Sequence, residues 1–229
     1  MEAAISKLKD VRGAKTAKAH IHDLKEVMHS RKVLPKGVCG MTSCIFGRSH
    51  VESAKIFLDA DIKIIQYGKG SQSTNEAAEI DRLCKAHGAL FVVEGDIGIA
   101  DGSGADGLLV EGAAGIEAAR EQFEGIVGVR VSSLGEAFAA QEKGADYIMV
   151  GSMFAPVPNE GARIVSFDEF RRIRDKVSLP IYAFGGIKYD NAQMVKRLGA
   201  DGIALMGDVI AMPDARSALE SIMAVWSRS

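Results

Sequence analysis

Two glycine signals in the last third of the chain mark places where a backbone could hold an anion. The apolar run LPIYAFGG ends at Gly185 and Gly186, and the run GADGIALMG ends at Met206 and Gly207. Glycine weakens a strand interior, so it belongs where the chain turns sharply or where a group must approach the main chain closely. Bare amide N–H groups beside a helix start form an anion site. The segments IKYDN and GDVIA, which follow the two glycine signals, both read as helix starts. A phosphate is the expected occupant, because a side chain at these positions would hold it away from the amides. The plainer alternative is that the glycines only turn the chain.

Other residues able to do chemistry stand at the ends of apolar runs: Thr42, Ser43, Gln66, Lys69, Glu94, Asp96, Glu111, Arg130, Ser132, Ser152 and Asn159. Glu94 or Glu111 with Lys69 would make a general acid/base pair, since burial against an apolar wall raises a glutamate toward neutrality. Lys69 could instead neutralise an anionic group or form a Schiff base. Arg130 points inward if Val129 and Val131 pack outward, and an inward arginine needs an acid partner, here Glu94 or Glu111. Gln66, Arg130, Ser132 and Ser152 are candidates for contacting a ligand. Each of these charges also reads as a solvated loop group, and Arg130 as a structural one. The five histidines fall away from the strand ends, which makes them surface or structural groups. Cys39, Cys44 and Cys84 have no metal-ligand spacing and read as reduced, buried thiols.

The elements that must position these residues show as a repeat. GADGLLVEG begins at Gly104, GADYIMVG at Gly144 and GADGIALMG at Gly199, with a looser copy, LDADIKIIQYG, at Leu58. The starts lie roughly 40 to 55 residues apart, the length of two strand–helix units. Between them stand GALFVVEG, GIVGVRV and LPIYAFGG, and GVCGMTS supplies a first run. Continuous rather than alternating hydrophobicity suits parallel strands covered on both faces. Amphipathic segments separate the runs, among them SFDEFRRIRDK with Ser166 as N-cap and Glu169 at the capping-box position. Eight strand–helix alternations predict a single (β/α)8 TIM barrel over residues 36–229, preceded by a helical extension over residues 1–35. An open doubly wound sheet is the alternative, but no GxGxxG follows the first strand. The extension could cap the barrel bottom or pair with another subunit, giving a homo-oligomer.

The 229 residues carry 28 basic and 30 acidic side chains, a net charge of −2, and are 47% apolar. That balance predicts no nucleic-acid or membrane partner, and a cytoplasmic protein is expected.

The stretches GADYIMVGSMFAP, LPIYAFGGI and GADGIALMGDVI together resemble the thiamine-phosphate synthase and thiazole tautomerase (TenI-like) family. The likeness runs from about Val38 to the C-terminus and is most specific in the last third. It implies a phosphorylated small-molecule ligand, thiamine metabolism, and transferase or isomerase chemistry. The departures are as informative. Where the synthases carry a Thr-x-Ser/Thr-Lys grip, this chain has Pro156, Pro158 and Asn159. Where they hold magnesium with acids after the third and fourth strands, it has Gly95, Ala113 and Ala114, with Asp96 one residue late and Glu111 the only carboxylate nearby. Gly68 stands at the family's arginine place, leaving Lys69 beside Gln66, and Ser132 stands where the tautomerases place a histidine. The resemblance therefore implies a phosphate-binding barrel with a degenerate Mg²⁺–diphosphate site and no cofactor. A non-catalytic or regulatory binding barrel and a metal-free isomerase remain open beside it.

Overall fold

Strands that cross only the wall of a closed sheet can be short, and strands covered on both faces are apolar throughout. Eight such strands follow one another in the computed structural model, which describes residues 33–44, 47–155 and 163–227. They are β1 (Gly37–Met41), β2 (Ile64–Tyr67), β3 (Leu90–Glu94), β4 (Gly107–Glu111), β5 (Ile126–Val131), β6 (Tyr147–Val150), β7 (Ile181–Phe184) and β8 (Gly202–Leu205). Each pairs in parallel with the next, and β8 returns to β1, so the predicted barrel is observed as a closed one. The barrel lies within one compact unit, Leu34–Ser229. The helical extension expected over residues 1–35 falls, but for its last three positions, outside the described residues.

Helices α1 (His50–Asp59), α2 (Thr74–Ala86), α3 (Ile97–Ser103), α4 (Gly112–Gln122), α5 (Leu134–Glu142), α6 (Phe167–Lys176), α7 (Tyr189–Arg197), α8 (Gly207–Ile210) and α9 (Ala215–Ser227) complete the alternation. Most start at a side-chain cap that satisfies an orphan amide. Ser49, Ser73, Asp96, Ser133 and Ser166 accept from the backbone N–H three residues on. Glu169 departs from its expected capping-box role: its Oε1 accepts from the Leu134 amide at 2.8 Å, tying α6 to the start of α5. None of the helices among the described residues is long and apolar enough to cross a membrane.

The GAD repeat has a mechanical explanation. Each of its aspartates precedes an even-numbered strand and accepts a hydrogen bond from the first turn of the strand before. Asp106 accepts from the Phe91 amide at 3.0 Å, Asp146 from Val127 at 2.8 Å and Asp201 from Ile181 at 3.0 Å. Arg120 and Arg174 then pair with Asp146 and Asp201 at 2.6 and 2.8 Å. The repeat therefore staples neighbouring strands at the barrel's N-terminal face, the end associated with stability.

Inside the barrel a separate cluster includes Cys39, Met41, Ile64, Val92, Leu109, Ile126, Tyr147, Met149, Tyr182 and Phe184, distinct from the larger core between sheet and helices. Its floor is set by size complementarity across paired strands. Tyr147 sits opposite Gly128, and Tyr182 opposite Gly202. A Cβ on either glycine would lie about 2.1 or 2.2 Å from the facing ring. The two rings meet edge to face at 5.8 Å, and the Tyr182 hydroxyl donates to the Pro35 carbonyl.

Gly128→Ala should therefore lower the unfolding free energy by about 1–3 kcal/mol in urea titrations, the usual cost of overpacking. Gly135→Ala, on an exposed turn of α5 with open space around it, should instead raise it by a few tenths of a kcal/mol.

Candidate functional site

Inward-facing residues at the last positions of the strands gather polar groups at the C-terminal mouth. Gln66 ends the inward row of β2, Glu94 that of β3 and Arg130 that of β5. Glu94 and Gln66 are buried, at 3% and 1% exposure. Arg130 NH2 lies 2.8 Å from Glu94 Oε1, and Gln66 Nε2 donates to Glu94 Oε2 at 2.9 Å. The Arg130 guanidinium lies over the Phe184 ring, 4.8 Å from its centroid. So Arg130 points inward, as its valine neighbours require, and its acid partner is Glu94.

Glu111 takes the other cation. Lys69 Nζ lies 2.5 Å from Glu111 Oε1 at the rim, with both side chains largely exposed. The stem of Lys69 crosses over Gly95, where a Cβ would meet it at 3.3 Å. Lys69 holds the Glu111 carboxyl below its ordinary pKa, by its hydrogen bond first and its charge second. Folding lowers this pKa, so the pair adds stability above the unfolded carboxyl pKa and loses it as pH falls through the folded value. Exposure keeps that contribution small.

The double glycine follows β7 at the C-terminal mouth. Gly185 and Gly186 both have left-handed backbone, with φ of 92° and 60°. Crowding supplies a second reason for glycine: a Cβ at 185 would meet Ser152 at 2.5 Å, and one at 186 would meet Ala155 and Phe154 at 2.9 Å. The carbonyls are engaged, Gly185 O accepting from the Phe154 amide and Gly186 O from Asn191 Nδ2. The amides of Gly185 and Gly186 have no acceptor among the described residues. Met206 packs against the interior cluster, and Gly207 opens α8.

Other sequence candidates have local duties. Asp96 caps α3 by accepting from the Ile99 amide at 2.8 Å. The Ser132 amide donates to Glu136 at 2.6 Å. Ser152 packs beside Gly185, and its carbonyl accepts from Val165. Asn159, Pro156 and Pro158 lie outside the described residues. Thr42 and Ser43 are buried at the end of β1.

One residue escaped the sequence reading. His50 opens α1 but folds back to the β1 end, fully buried, with Nδ1 2.7 Å from Thr42 Oγ1. Tyr67 packs edge-on against it at 4.7 Å. Burial lowers its pKa. The signal was a helix-opening histidine eight residues after Thr42, close enough in the fold for the imidazole to reach its hydroxyl. Cys44 corrects a second expectation: it is exposed, because it stands in that connection beyond the strand, whereas Cys39 and Cys84 are buried, with burial pushing each up to about 12.

A cleft of about 400 Å³ opens beside Arg130, lined by Glu111, Gly112, Ala113, Ser132, Glu136 and Gly151 among others. It lies at the ends of β4, β5 and β6. Among the described residues, the carboxylates around the mouth do not make a metal cradle. Glu94 is taken by Arg130 and Gln66, Glu111 by Lys69, Asp96 by a helix start and Glu136 by Ser132. Among the described residues, no three His, Cys, Asp or Glu side chains converge as metal ligands.

Residues 37–209 match the family description "Thiamine monophosphate synthase". The thiamine-phosphate synthase of Caldivirga maquilingensis is 34% identical over 203 residues, covering 86% of this chain and 99% of that protein. That of Pyrococcus furiosus is 36% identical over 181 residues, covering 76% and 87%. A solved structure of thiamine phosphate pyrophosphorylase from Pyrococcus furiosus superposes with a TM-score of 0.74 at 32% identity, covering 82% of this chain and 94% of that one. A 3-hexulose-6-phosphate synthase from Salmonella typhimurium, at 20% identity and a TM-score of 0.65, shares the fold.

Arg130→Met would strand the buried Glu94 carboxylate and should lower the unfolding free energy by about 3–5 kcal/mol, with Glu94→Gln in the same chain recovering most of it. Strictly additive effects in the double-mutant cycle would show that the pair does not interact. A thiol titration of the native protein should give one fast group, abolished by Cys44→Ser, with Cys39 and Cys84 reacting only on unfolding.

Proposed function

The chain belongs to the thiamine monophosphate synthase family, and from that premise we propose that it binds a small phosphorylated metabolite at the C-terminal mouth without a magnesium–diphosphate centre. The observation that carries the reading is the double-glycine turn after β7, whose two amides lack acceptors among the described residues. Backbone donors at the ends of the seventh and eighth strands suit a phosphate in this barrel. Gly185, Gly186, Met206 and Gly207 are the positions assigned to it.

Magnesium–diphosphate chemistry calls for several carboxylates and cations left open to the ligand. Among the described residues, Glu94, Asp96 and Glu111 at this mouth are already engaged by the chain's own donors. If the mouth performs chemistry, Lys69 and Glu111 are the groups placed to move a proton, since their ion pair is exposed and can open. Glu94 holds Arg130 and Gln66 instead. The thiamine connection enters through the family, so thiazole phosphate is the first ligand to try. A second reading, a binding barrel without turnover, is favoured by the pairing of Glu94 and Glu111 with cations.

In thermal-shift and calorimetric titrations, inorganic phosphate and thiazole phosphate should stabilise the protein, by about 2.7 kcal/mol at 100 times Kd. Gly186→Ala, checked for retained fold by circular dichroism, should abolish the response. An unchanged affinity in that variant would refute the phosphate assignment. Product formation from thiazole phosphate and hydroxymethylpyrimidine diphosphate with Mg²⁺ should be weak or absent. Turnover near the ordinary enzyme rate of about 10 per second would overturn the metal-free reading.

A further inference from the structure

We propose that His50 is a positioning residue for the rim: through the Thr42 hydroxyl its imidazole fixes the turn that follows β2, and with it the place from which Lys69 reaches Glu111. The geometry stands without the phosphate reading. Only its use, the placing of a group able to move a proton, rests on the role given to Lys69 above.

The turn between β2 and α2 is tied at both ends. At the far end, Gln72 Nε2 donates to the Tyr67 and Glu94 carbonyls at 3.2 and 3.1 Å, and the Ser73 amide donates to the Tyr67 hydroxyl at 3.0 Å. At the near end, the Gly68 amide donates to Thr42 Oγ1 at 3.3 Å. The two segments touch there: a Cβ on Gly68 would lie 2.3 Å from the Thr42 carbonyl oxygen. Lys69 is the next residue. Beyond it, a Cβ on Gly70 would meet His50 Nε2 at 3.7 Å. The imidazole thus bears on the residues to either side of Lys69, on Gly68 through Thr42 and on Gly70 directly.

The contact with Thr42 needs a neutral ring. A hydroxyl has one hydrogen to give and two lone pairs. The Gly68 N–H takes a lone pair of Thr42 Oγ1, and the hydroxyl hydrogen goes to His50 Nδ1, 2.7 Å away. Protonation makes both ring nitrogens donors. The hydroxyl hydrogen then loses its acceptor. Nε2, enclosed and without a partner among the described residues, becomes one donor of a buried charge. The titratable groups around the ring among the described residues are Tyr67 from β2, Glu76 from α2 and Cys44 from the connection after β1. All three are engaged. The Tyr67 hydroxyl donates to Glu76 at 2.5 Å, and the Cys44 sulfur accepts from the His50 backbone amide. Glu52, on α1 itself, accepts from the Ser49 amide at 2.8 Å, and the Lys69 ammonium lies at Glu111. Burial lowers the His50 pKa, with the Glu76 charge opposing it. The held turn is therefore fully present above the ordinary histidine pKa of about 6.5, and is lost as pH falls from there toward the lowered value.

The test reads amide hydrogen exchange by NMR on the full chain between about pH 5 and pH 8, corrected for the intrinsic rate at each pH. Protection at Gly68 should fall about fivefold or more below about pH 6.5, the worth of one ordinary hydrogen bond. The Ile148 amide, bonded to the Pro180 carbonyl at 3.0 Å, should not follow. His50→Phe keeps a ring against Tyr67 but has no Nδ1, and should give the low protection at every pH. His50→Asn supplies an amide oxygen that can accept from Thr42 and gains no proton, so it should restore protection and flatten the profile. Acetylation of Lys69 at the upper end of the range, read by mass spectrometry, should quicken about threefold or more in His50→Phe and return to the original rate in His50→Asn. Three results overturn the inference. They are a flat Gly68 profile in the unmodified protein, a loss at Gly68 in His50→Phe that Ile148 matches, and one Lys69 acetylation rate in all three proteins. The unmodified protein's profile decides should His50→Phe fail to fold. Absence of phosphate binding would overturn the phosphate reading and leave these results as they are.

Discussion

A carboxylate enclosed by barrel walls needs a cation beside it, and at this mouth the need is met by a single pair, Glu94 with Arg130. The neighbouring arrangement follows from it. Gln66 is turned so that its Nε2 meets the second oxygen of Glu94. Phe184, the last residue of β7 before the glycine turn, covers one face of the guanidinium. With Glu94 engaged, the remaining acid–base capacity moves outward to Lys69 and Glu111, which meet in solvent. The mouth is thus divided into a rigid inner layer and a yielding rim.

That division depends on register, and register is held at the opposite end. The aspartates of the GAD repeat bond across to the amides at the starts of β3, β5 and β7, fixing each neighbour's position along the wall. A slip of one residue would reverse every side chain between interior and exterior. Glu94 and Arg130 would then face helices rather than each other. Below them, the fit of Tyr147 against Gly128 and of Tyr182 against Gly202 allows no looser alignment. The same repeat that betrays the fold in the sequence is what holds the site in alignment.

The fold was legible because parallel strands buried on both faces read as uninterrupted apolar runs, and because β4, β6 and β8 repeat the small–Asp start that their staples require. The inward direction of Arg130 was legible for a similar reason, since its valine neighbours had to pack outward. Which glutamate it would meet was not, because Glu111 stands directly across from Arg130 in register on β4, yet the guanidinium reaches the glutamate two strands away on β3. The histidine beside Thr42 was hidden by a helical position whose side chain folds back onto the end of β1. Glu169 satisfied a capping pattern in sequence yet serves a neighbouring helix, because the Leu134 amide competes for the same oxygen. Cys44 was misjudged by composition: a thiol is buried by where it stands, and it stands beyond the strand.

Similarity to the synthases at 34–36% identity spans most of the chain, while Glu94 and Glu111 at the mouth pair with Arg130 and Lys69. The donors we propose for a ligand share one property: they do not titrate near neutral pH. Backbone amides at Gly185 and Gly186 carry no ionisable proton in that range. Glu111, held low by Lys69, is already charged there, and His50, lowered by burial, is shifted toward its neutral form. Recognition built on such groups depends on the position and shape of the ligand's oxygens rather than on the protonation of the protein. A metal-based grip would behave differently, because its carboxylate ligands must first be freed and ionised. The two strategies fit on one barrel because the staples and the interior packing that fix the strand ends are separate from the few mouth side chains that decide which is used.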